Sequence, residues 1–253
     1  MPEQTQYAAG TPNWVTLLAP DIDAAQRFYG AVFGWNFQTE GPAEMQYVLC
    51  VKQGHAVAGM VQRPDDPDTP IAWQTLLATD NLDATVQAAQ KAGARVVSEP
   101  MDVPERGRLA VVIDPTGASI GFWQATGYAG AELMHEPGAM TWNELRTPDP
   151  KTSEAFYGKL FPYEFEQAGD GETFDYALFK VNGSQVGGRM RSPGESAYWL
   201  PYFSVDEVDK AATRVMERGG KIISEPQDTP YGRMAACEDP WGARFSIVTL
   251  PDS

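Results

Sequence analysis

Three side chains with chemical potential alternate along one short segment of the chain. Trp142, Glu144 and Arg146 are spaced two residues apart, so on a β-strand they share one face. If that face lines a largely apolar cavity, burial raises the pKa of the Glu144 carboxyl and suits it to general acid or base chemistry. The segment therefore predicts an acid–base site, with an ion pair between Glu144 and Arg244 across the cavity as the purely structural alternative.

The groups that would support such a site come from later in the sequence. Arg244 and Ser246 share a face of the last predicted strand, and Arg189 lies on an earlier strand of the same half. Tyr231 lies in a loop and offers a hydroxyl at the mouth of the cavity. We expect Glu144 to act as the base, with Arg244 or Tyr231 as electrostatic support.

Four tryptophans stand at the openings of four predicted strands, each seven residues before an aspartate that leads a predicted helix. Indole rings suit flat or conjugated ligands, because they stack and bury apolar area. The alternative is that they fill the cavities as core. The residues expected to contact a ligand are Trp14, Thr16, Trp73, Trp142, Arg146, Arg189, Trp199 and Ser246.

An internal repeat positions these residues twice. The segment 28–33, which starts Phe-Tyr-Gly, returns 128 positions later at 156–161, and the same offset carries Trp14 onto Trp142. A repeat of about half the chain indicates two domains. We assign them as a first domain at 1–126, a linker at 127–138 and a second domain at 139–253.

Each half shows the same pattern of elements twice. Apolar residues at three-to-four spacing between Asp21 and Gly34 predict an amphipathic helix, and further helices are predicted at 81–92, around Phe156 and at 205–218. Strands surround every helix. After the first helix of each half, the β-prone runs are 47–51 and 56–61, then 176–181 and 185–190. The pattern indicates an α+β chain of four modules.

Two further motifs extend the repeat, and together they carry a family resemblance. Phe-Tyr-Gly is followed by Phe-Gly-Trp at 33–35 or Phe-Pro-Tyr at 161–163, and Asp-Pro-X-Gly occurs at 114–117 and 239–242. The sequence resembles the vicinal oxygen chelate superfamily of glyoxalases, bleomycin-resistance proteins and extradiol dioxygenases. It looks most like tandem two-domain glyoxalase-like proteins of actinobacterial type, some of them labelled hydroxylases. The resemblance implies two domains, each of two βαβββ modules forming an open barrel-like sheet.

The resemblance also implies a divalent metal in each barrel, held by one His, Glu or Gln from each of four strands. Two of the implied ligand positions in each half fall on the four tryptophans, and a third falls on Gly121 or Ser246. Segments 56–60 and 185–189 contain no His or Glu. Because indole has no lone pair to donate and glycine has no side chain, we predict that no metal and no other cofactor binds.

The favoured interpretation is a metal-independent glyoxalase-like protein that binds a small aromatic or polyketide-like molecule in Trp-lined cavities, for sequestration or resistance. The alternative is a metal-free acid–base enzyme, such as an isomerase, cyclase or lyase, that uses the cavity of the second domain. A metal-dependent glyoxalase or dioxygenase is the third possibility.

Composition limits the partners of the chain. The net charge of −15 disfavours nucleic acid and anionic membranes, because phosphate binding requires concentrated Lys and Arg. No apolar run reaches the roughly 18 residues of a membrane span, and the first residues do not resemble a secretory signal, so we expect a cytoplasmic protein. Since the chain already joins four modules, we expect a monomer, with a homodimer as the alternative.

Overall fold

The computed structural model describes residues 6–41, 47–66 and 69–251. The first half contains β1 (Pro12–Ala19), α1 (Ile22–Phe33), β2 (Asn36–Glu40), β3 (Tyr47–Lys52), β4 (His55–Gln62), β5 (Ala72–Ala78), α2 (Leu82–Lys91), β6 (Arg95–Val103), β7 (Gly107–Ile113) and β8 (Ser119–Ala125). The second half contains β9 (Met140–Thr147), α3 (Pro150–Leu160), β10 (Glu164–Gln167), β11 (Tyr176–Val181), β12 (Ser184–Arg191), β13 (Tyr198–Ser204), α4 (Val208–Glu217), β14 (Lys221–Thr229), β15 (Gly232–Glu238) and β16 (Arg244–Thr249).

Each half forms one eight-stranded sheet with two helices. The strand order is β2-β3-β4-β1-β5-β8-β7-β6 in the first half and β10-β11-β12-β9-β13-β16-β15-β14 in the second. The two modules of a half meet through antiparallel pairs, β1 with β5 and β9 with β13. Each sheet ends at two separate edge strands, so neither closes into a barrel. The predicted α+β fold of tandem βαβββ modules is confirmed.

Local sequence explains most of the element boundaries. The Asp21 carboxylate caps α1 by accepting a hydrogen bond from the Ala24 amide at 2.9 Å, and Gly34 ends the helix in the left-handed conformation, with φ 70°. Strands β2 and β10 were not among the predicted runs. Both are largely exposed edge strands without the apolar alternation that reveals a half-buried strand.

The helices pack across the boundary between the two domains. Helix α1 contacts α4, and α2 contacts α3. One buried core therefore joins the first module of the first domain to the second module of the second domain, and another joins the remaining two modules. Each core contains residues of both domains. The apolar surface that the helices and sheet of one module leave exposed is buried against a module of the other domain.

The two repeated motifs meet at this interface. The Tyr29 hydroxyl donates to the Asp239 carboxylate at 2.9 Å, and Tyr157 donates to Asp114 at the same distance. The second oxygen of each aspartate accepts two amide hydrogen bonds inside its own turn. The tyrosine of each Phe-Tyr-Gly motif therefore forms a hydrogen bond to the aspartate of the Asp-Pro-X-Gly motif in the other domain.

This mutual covering leads to a prediction about assembly. The helix faces that a single domain would have to bury against a second copy are already buried within one chain, so we expect a monomer. Light scattering at micromolar concentration should give a mass near 27.7 kDa. A mass near twice this value would show that another surface of the chain associates.

Candidate ligand-binding site

Strand register divides each sheet into a helix face and an opposite face, which we call the open face. In the second domain Trp142 pairs with Tyr202, and Glu144 with Leu200. Paired residues project to the same side of a sheet. Glu144, Arg146 and Trp142 therefore share the open face, as their spacing predicted.

A polar cluster occupies the open face of the second domain. We call it the Glu144 cluster and define it as Trp142, Glu144, Arg146, Tyr176 and Tyr202. The Trp142 indole donates to the Tyr176 hydroxyl at 2.9 Å, and Tyr202 donates to Glu144 at 3.2 Å. Tyr176 also interacts electrostatically with Glu144, whose side chain is buried. Two phenols and a guanidinium thus surround one carboxylate, and the indole is hydrogen-bonded to one of the phenols.

The ion pair within this cluster is close but poorly aligned. Arg146 Nε lies 2.5 Å from Glu144 Oε1, yet its N–H has no hydrogen-bond acceptor in suitable geometry among the described residues. Burial raises the pKa of the Glu144 carboxyl above its ordinary value, and the Arg146 charge only partly opposes this effect. Burial by itself lowers the pKa of Arg146, but the Glu144 charge together with the contributions of Tyr202 and Tyr198 outweighs burial, so the net pKa rises.

The remaining candidates of the second domain divide between the rim of this cluster and distant surfaces. Ser246 is buried on β16 and pairs in register with Tyr202. Arg244 lies at the rim, where it stacks over the Tyr198 ring with its guanidinium carbon 5.3 Å from the ring centroid and pairs with Glu195. The predicted structural alternative, a Glu144–Arg244 ion pair, is wrong, because Arg146 is the partner of Glu144.

Tyr231 and Arg189 lie away from the Glu144 cluster. Tyr231 is 58% exposed in the turn between β14 and β15. Arg189 pairs in register with Leu145, so it points to the helix face, where Glu154 of α3 and Asp175 bind it. The expectation that Arg189 lines the open face is wrong, because it is one residue out of phase with Gly188, the partner of Glu144.

Trp73 and Trp199 also point away from the open faces. Trp73 pairs with Leu17 and donates to the Tyr29 hydroxyl at 3.1 Å, and Trp199 donates to Tyr157 at 2.9 Å. Both indoles therefore belong to the interdomain cores, where they extend the Tyr29–Asp239 and Tyr157–Asp114 contacts. The expectation that they line cavities is wrong.

The positions of the helix caps explain this error. Helix α2 is capped by Asn81, and α4 begins after Glu207, each one residue later than the aspartate from which the spacing was counted. Counting seven residues back from these caps gives Gln74 and Leu200. Those are the partners of Thr16 and Glu144 on the open faces.

The first domain has the same hydrogen-bonded Trp–Tyr pair on its open face, but different residues pack against that pair. The Trp14 indole donates to Tyr47 at 2.7 Å, and Thr16 hydrogen-bonds to the same hydroxyl at 2.7 Å. Thr16 stands where the second domain has Glu144. Tyr128 and Ala131, both from the predicted linker, pack against Trp14. The linker therefore packs over the first open face. On the second, Glu144, Tyr176 and Tyr202 are buried, while Trp142, Arg146 and Tyr198 are partly exposed.

Sequence reasoning missed Tyr176 and Tyr202, the phenols of the Glu144 cluster. A glycine signal accompanies Tyr176: a Cβ on Gly188 would meet its hydroxyl oxygen at 2.3 Å, and Gly59 stands in the same relation to Tyr47. Because glycine has no Cβ, Gly188 and Gly59 leave room for the Tyr176 and Tyr47 hydroxyls to lie against their strands. For Tyr202 the signal was its two-residue spacing from Leu200 on β13, which places both residues on the open face once the register is known.

A recess of about 310 Å³ reaches Trp142 from one side. Its walls include the N-terminal segment at Tyr7 and Thr11, the linker at His135, and the turn between β11 and β12 at Asn182. His135 and Thr141 hydrogen-bond to each other at 2.9 Å on its border. Trp142 therefore borders a recess that is lined by both apolar and polar side chains and by no Asp, Glu, Lys or Arg.

The open face of the second domain does not present a divalent-metal site. The carboxylate of the Glu144 cluster is paired with Arg146. The neighbouring positions are Leu200, Ser246 and Gly188, which supply no imidazole or second carboxylate. Across the described residues, no group of three or more His, Cys, Asp or Glu side chains is placed to hold a metal ion.

Sequence and structure comparisons agree with this architecture. The family model of the Glyoxalase/Bleomycin resistance protein/Dioxygenase superfamily matches residues 11–122 and 139–247. The chain belongs to this superfamily, and the resemblance drawn from the motifs is confirmed. Within the described residues, no helix is long and apolar enough to cross a membrane.

Two curated relatives match almost the whole chain. "Putative glyoxylase CFP32" of Mycobacterium tuberculosis is 36% identical, with 98% of each chain covered. "Anthracycline biosynthesis protein DauV" of a Streptomyces species is 33% identical, with 98% of this chain and 96% of the relative covered.

Solved structures share the fold. Homoprotocatechuate 2,3-dioxygenase from Arthrobacter globiformis superimposes with a TM-score of 0.68 at 15% identity, covering 99% of this chain and 81% of that one. A Mn(II)-bound glyoxalase from Novosphingobium aromaticivorans gives 0.65 at 19% identity, with 96% and 84% covered. At these identities the likeness concerns the fold alone.

Proposed function

We propose that the chain binds a planar aromatic, polyketide-like molecule on the open face of its second domain, without a metal. The observation that carries this proposal is the Glu144 cluster, which combines a half-buried indole, two buried phenols and an ion pair between the buried Glu144 and the partly exposed Arg146. Aromatic surface with a few convergent polar groups is the usual composition of small-molecule sites. The similarity to a protein named for anthracycline biosynthesis supports this ligand class.

The difference between the two domains supports this choice of face. The linker packs Tyr128 and Ala131 onto the first open face, where Thr16 replaces the carboxylate. In the second domain Trp142 and Tyr198 remain partly exposed around Glu144 and Arg146. One open site per chain follows, rather than the two Trp-lined cavities expected from the sequence.

The proposal predicts the effect of removing one indole. With 1,8-dihydroxyanthraquinone as the probe, Trp142→Leu should weaken binding by roughly tenfold, because stacking and apolar contact are lost. Probe absorbance or fluorescence titration measures the change.

The matched control is Trp14→Leu, the equivalent substitution on the covered open face. It should lower stability and leave the affinity of the folded protein unchanged. Equal loss of affinity in the two variants, or none in Trp142→Leu, would contradict the assignment of the ligand to the second domain.

A second candidate function is metal-free acid–base catalysis at the same site. The observation that favours it is the buried Glu144 carboxyl, whose pKa is raised by burial. Glu144 would exchange the proton, with Arg146 and the Tyr202 hydroxyl as its immediate partners in place of Arg244 and Tyr231. With an aromatic polyketide that is turned over, Glu144→Gln should abolish turnover and spare affinity, and unchanged turnover would eliminate this role.

A further inference from the structure

A second recess lies where the two domains meet, on the helix side of the sheets. It opens between α1 of the first domain, the end of α4 and the turn after β15, and its volume is about 310 Å³. We call it the α1–α4 recess. It is lined by Ala24, Arg27, Phe28, Arg218, Pro240 and Trp241.

The recess concentrates positive charge on an acidic protein. Both guanidinium groups, Arg27 and Arg218, are exposed, and neither side chain forms an ion pair or hydrogen bond with the described residues. The six lining residues include no Asp or Glu. Two unpaired guanidiniums on a chain of net charge −15 provide forks of N–H donors that match a carboxylate.

An aromatic wall lies beside these charges. Trp241 and Phe28 meet edge to face, with ring centroids 6.4 Å apart. Trp241 is only partly buried, and its indole N–H has no hydrogen-bond partner in the described part of the chain. Trp241 thus offers apolar surface and one free donor next to the arginines, and the buried Phe28 ring supports it from behind.

The internal repeat shows that folding does not require these three side chains. The equivalent positions at the α2–α3 interface are Ala155 for Arg27, Ala92 for Arg218 and Thr116 for Trp241. Ala92 and Arg218 both follow the last residue of their helices. The amide of Thr116 donates to Asp114 at 2.7 Å, as that of Trp241 donates to Asp239 at 3.0 Å. The same turn and interface therefore form with small, uncharged residues.

We propose that the α1–α4 recess binds a planar aromatic carboxylate, with the ring against Trp241 and Phe28 and the carboxylate between Arg27 and Arg218. The recess is at the lower end of the size range of ligand pockets, which favours a molecule of one or two rings. Because its walls come from both domains, the site exists only when the domains are docked.

Equilibrium dialysis with 1-naphthoate tests this proposal, with neutral 1-naphthamide as the matched probe. The Arg27→Ala, Arg218→Ala and Trp241→Thr variants install the residues of the equivalent interface, so we expect them to fold. Each should weaken naphthoate binding by roughly tenfold. Naphthamide should bind the unmodified protein more weakly than naphthoate by a similar factor.

Two control variants make the outcome decisive. Arg95→Ala, at an exposed arginine on β6, should leave naphthoate binding unchanged, and Trp142→Leu distinguishes binding in this recess from binding on the second open face. The proposal is overturned if naphthoate does not bind, if naphthamide binds equally well, or if the three recess variants retain full affinity. Loss of binding in Trp142→Leu alone would place the ligand on the open face and overturn it as well.

Discussion

Replacing Arg146 with methionine is expected to destabilise the protein by about 3 kcal/mol at neutral pH, because it leaves the Glu144 carboxylate buried without its counter-charge. The variant should therefore raise the pKa of Glu144 further above the value that burial already imposes. Urea unfolding followed by tryptophan fluorescence measures the loss of unfolding free energy.

The sign of the pH dependence follows from this raised pKa. In the unfolded chain Glu144 titrates near its ordinary value of about 4.3, so the folded variant binds a proton more tightly than the unfolded chain does. The destabilisation is absent below that ordinary pKa, grows as the pH rises from the ordinary pKa to the folded pKa, and is complete above the folded pKa. The deficit of Arg146→Met relative to the unmodified protein should be smaller at about pH 5.5 than at about pH 8.

Two further variants isolate the ion pair. Arg244→Met removes a rim arginine that pairs with Glu195 at 3.3 Å, and it should change stability by less than about 1 kcal/mol at either pH. The double variant Glu144→Gln with Arg146→Met should recover most of the loss, since no buried charge remains. An equal deficit at both pH values, with no recovery in the double variant, would refute the electrostatic explanation.

Removing the Asp239 side chain should lower the free energy of unfolding at least as much as Arg146→Met does. This carboxylate accepts hydrogen bonds from the Tyr29 hydroxyl at 2.9 Å, the Trp241 amide at 3.0 Å and the Ala243 amide at 2.8 Å. Asp239→Ala leaves all three donors without their acceptor and opens space at the domain interface. We expect a loss of about 3–5 kcal/mol in unfolding free energy.

The interdomain share of this loss is measurable separately. Tyr29→Phe keeps the Asp239 turn but removes the bond between the domains and orphans the Trp73 indole N–H, which should cost about 2 kcal/mol. A double-mutant cycle of Tyr29→Phe with Asp239→Asn gives the coupling free energy. Asp228→Ala is the matched control, because that exposed aspartate pairs with Arg233 and should cost less than about 1 kcal/mol. Additive effects in the cycle would show that Tyr29 and Asp239 stabilise the fold independently.

Local chemistry in the sequence was sufficient for the elements, the repeat and one face of one strand. Asp21 and Gly34 mark the two ends of α1, because a capping carboxylate and a left-handed glycine act within a single turn of helix. The two-residue period of a strand likewise placed Trp142, Glu144 and Arg146 together. The motif resemblance gave the superfamily and thereby the tandem fold.

Tertiary structure decided which strand faces line a site and which of them remains open. Trp73 looks equivalent to Trp14 along the chain, but it pairs with Leu17 and packs in the interdomain core, since a one-residue shift in register reverses the face of a strand. The choice of Arg146 over Arg244 as the partner of Glu144, and the closure of the first open face by Tyr128, depend on distances between segments that are remote in sequence. Periodicity is a local property of the chain, whereas register and coverage arise only when its segments pack together.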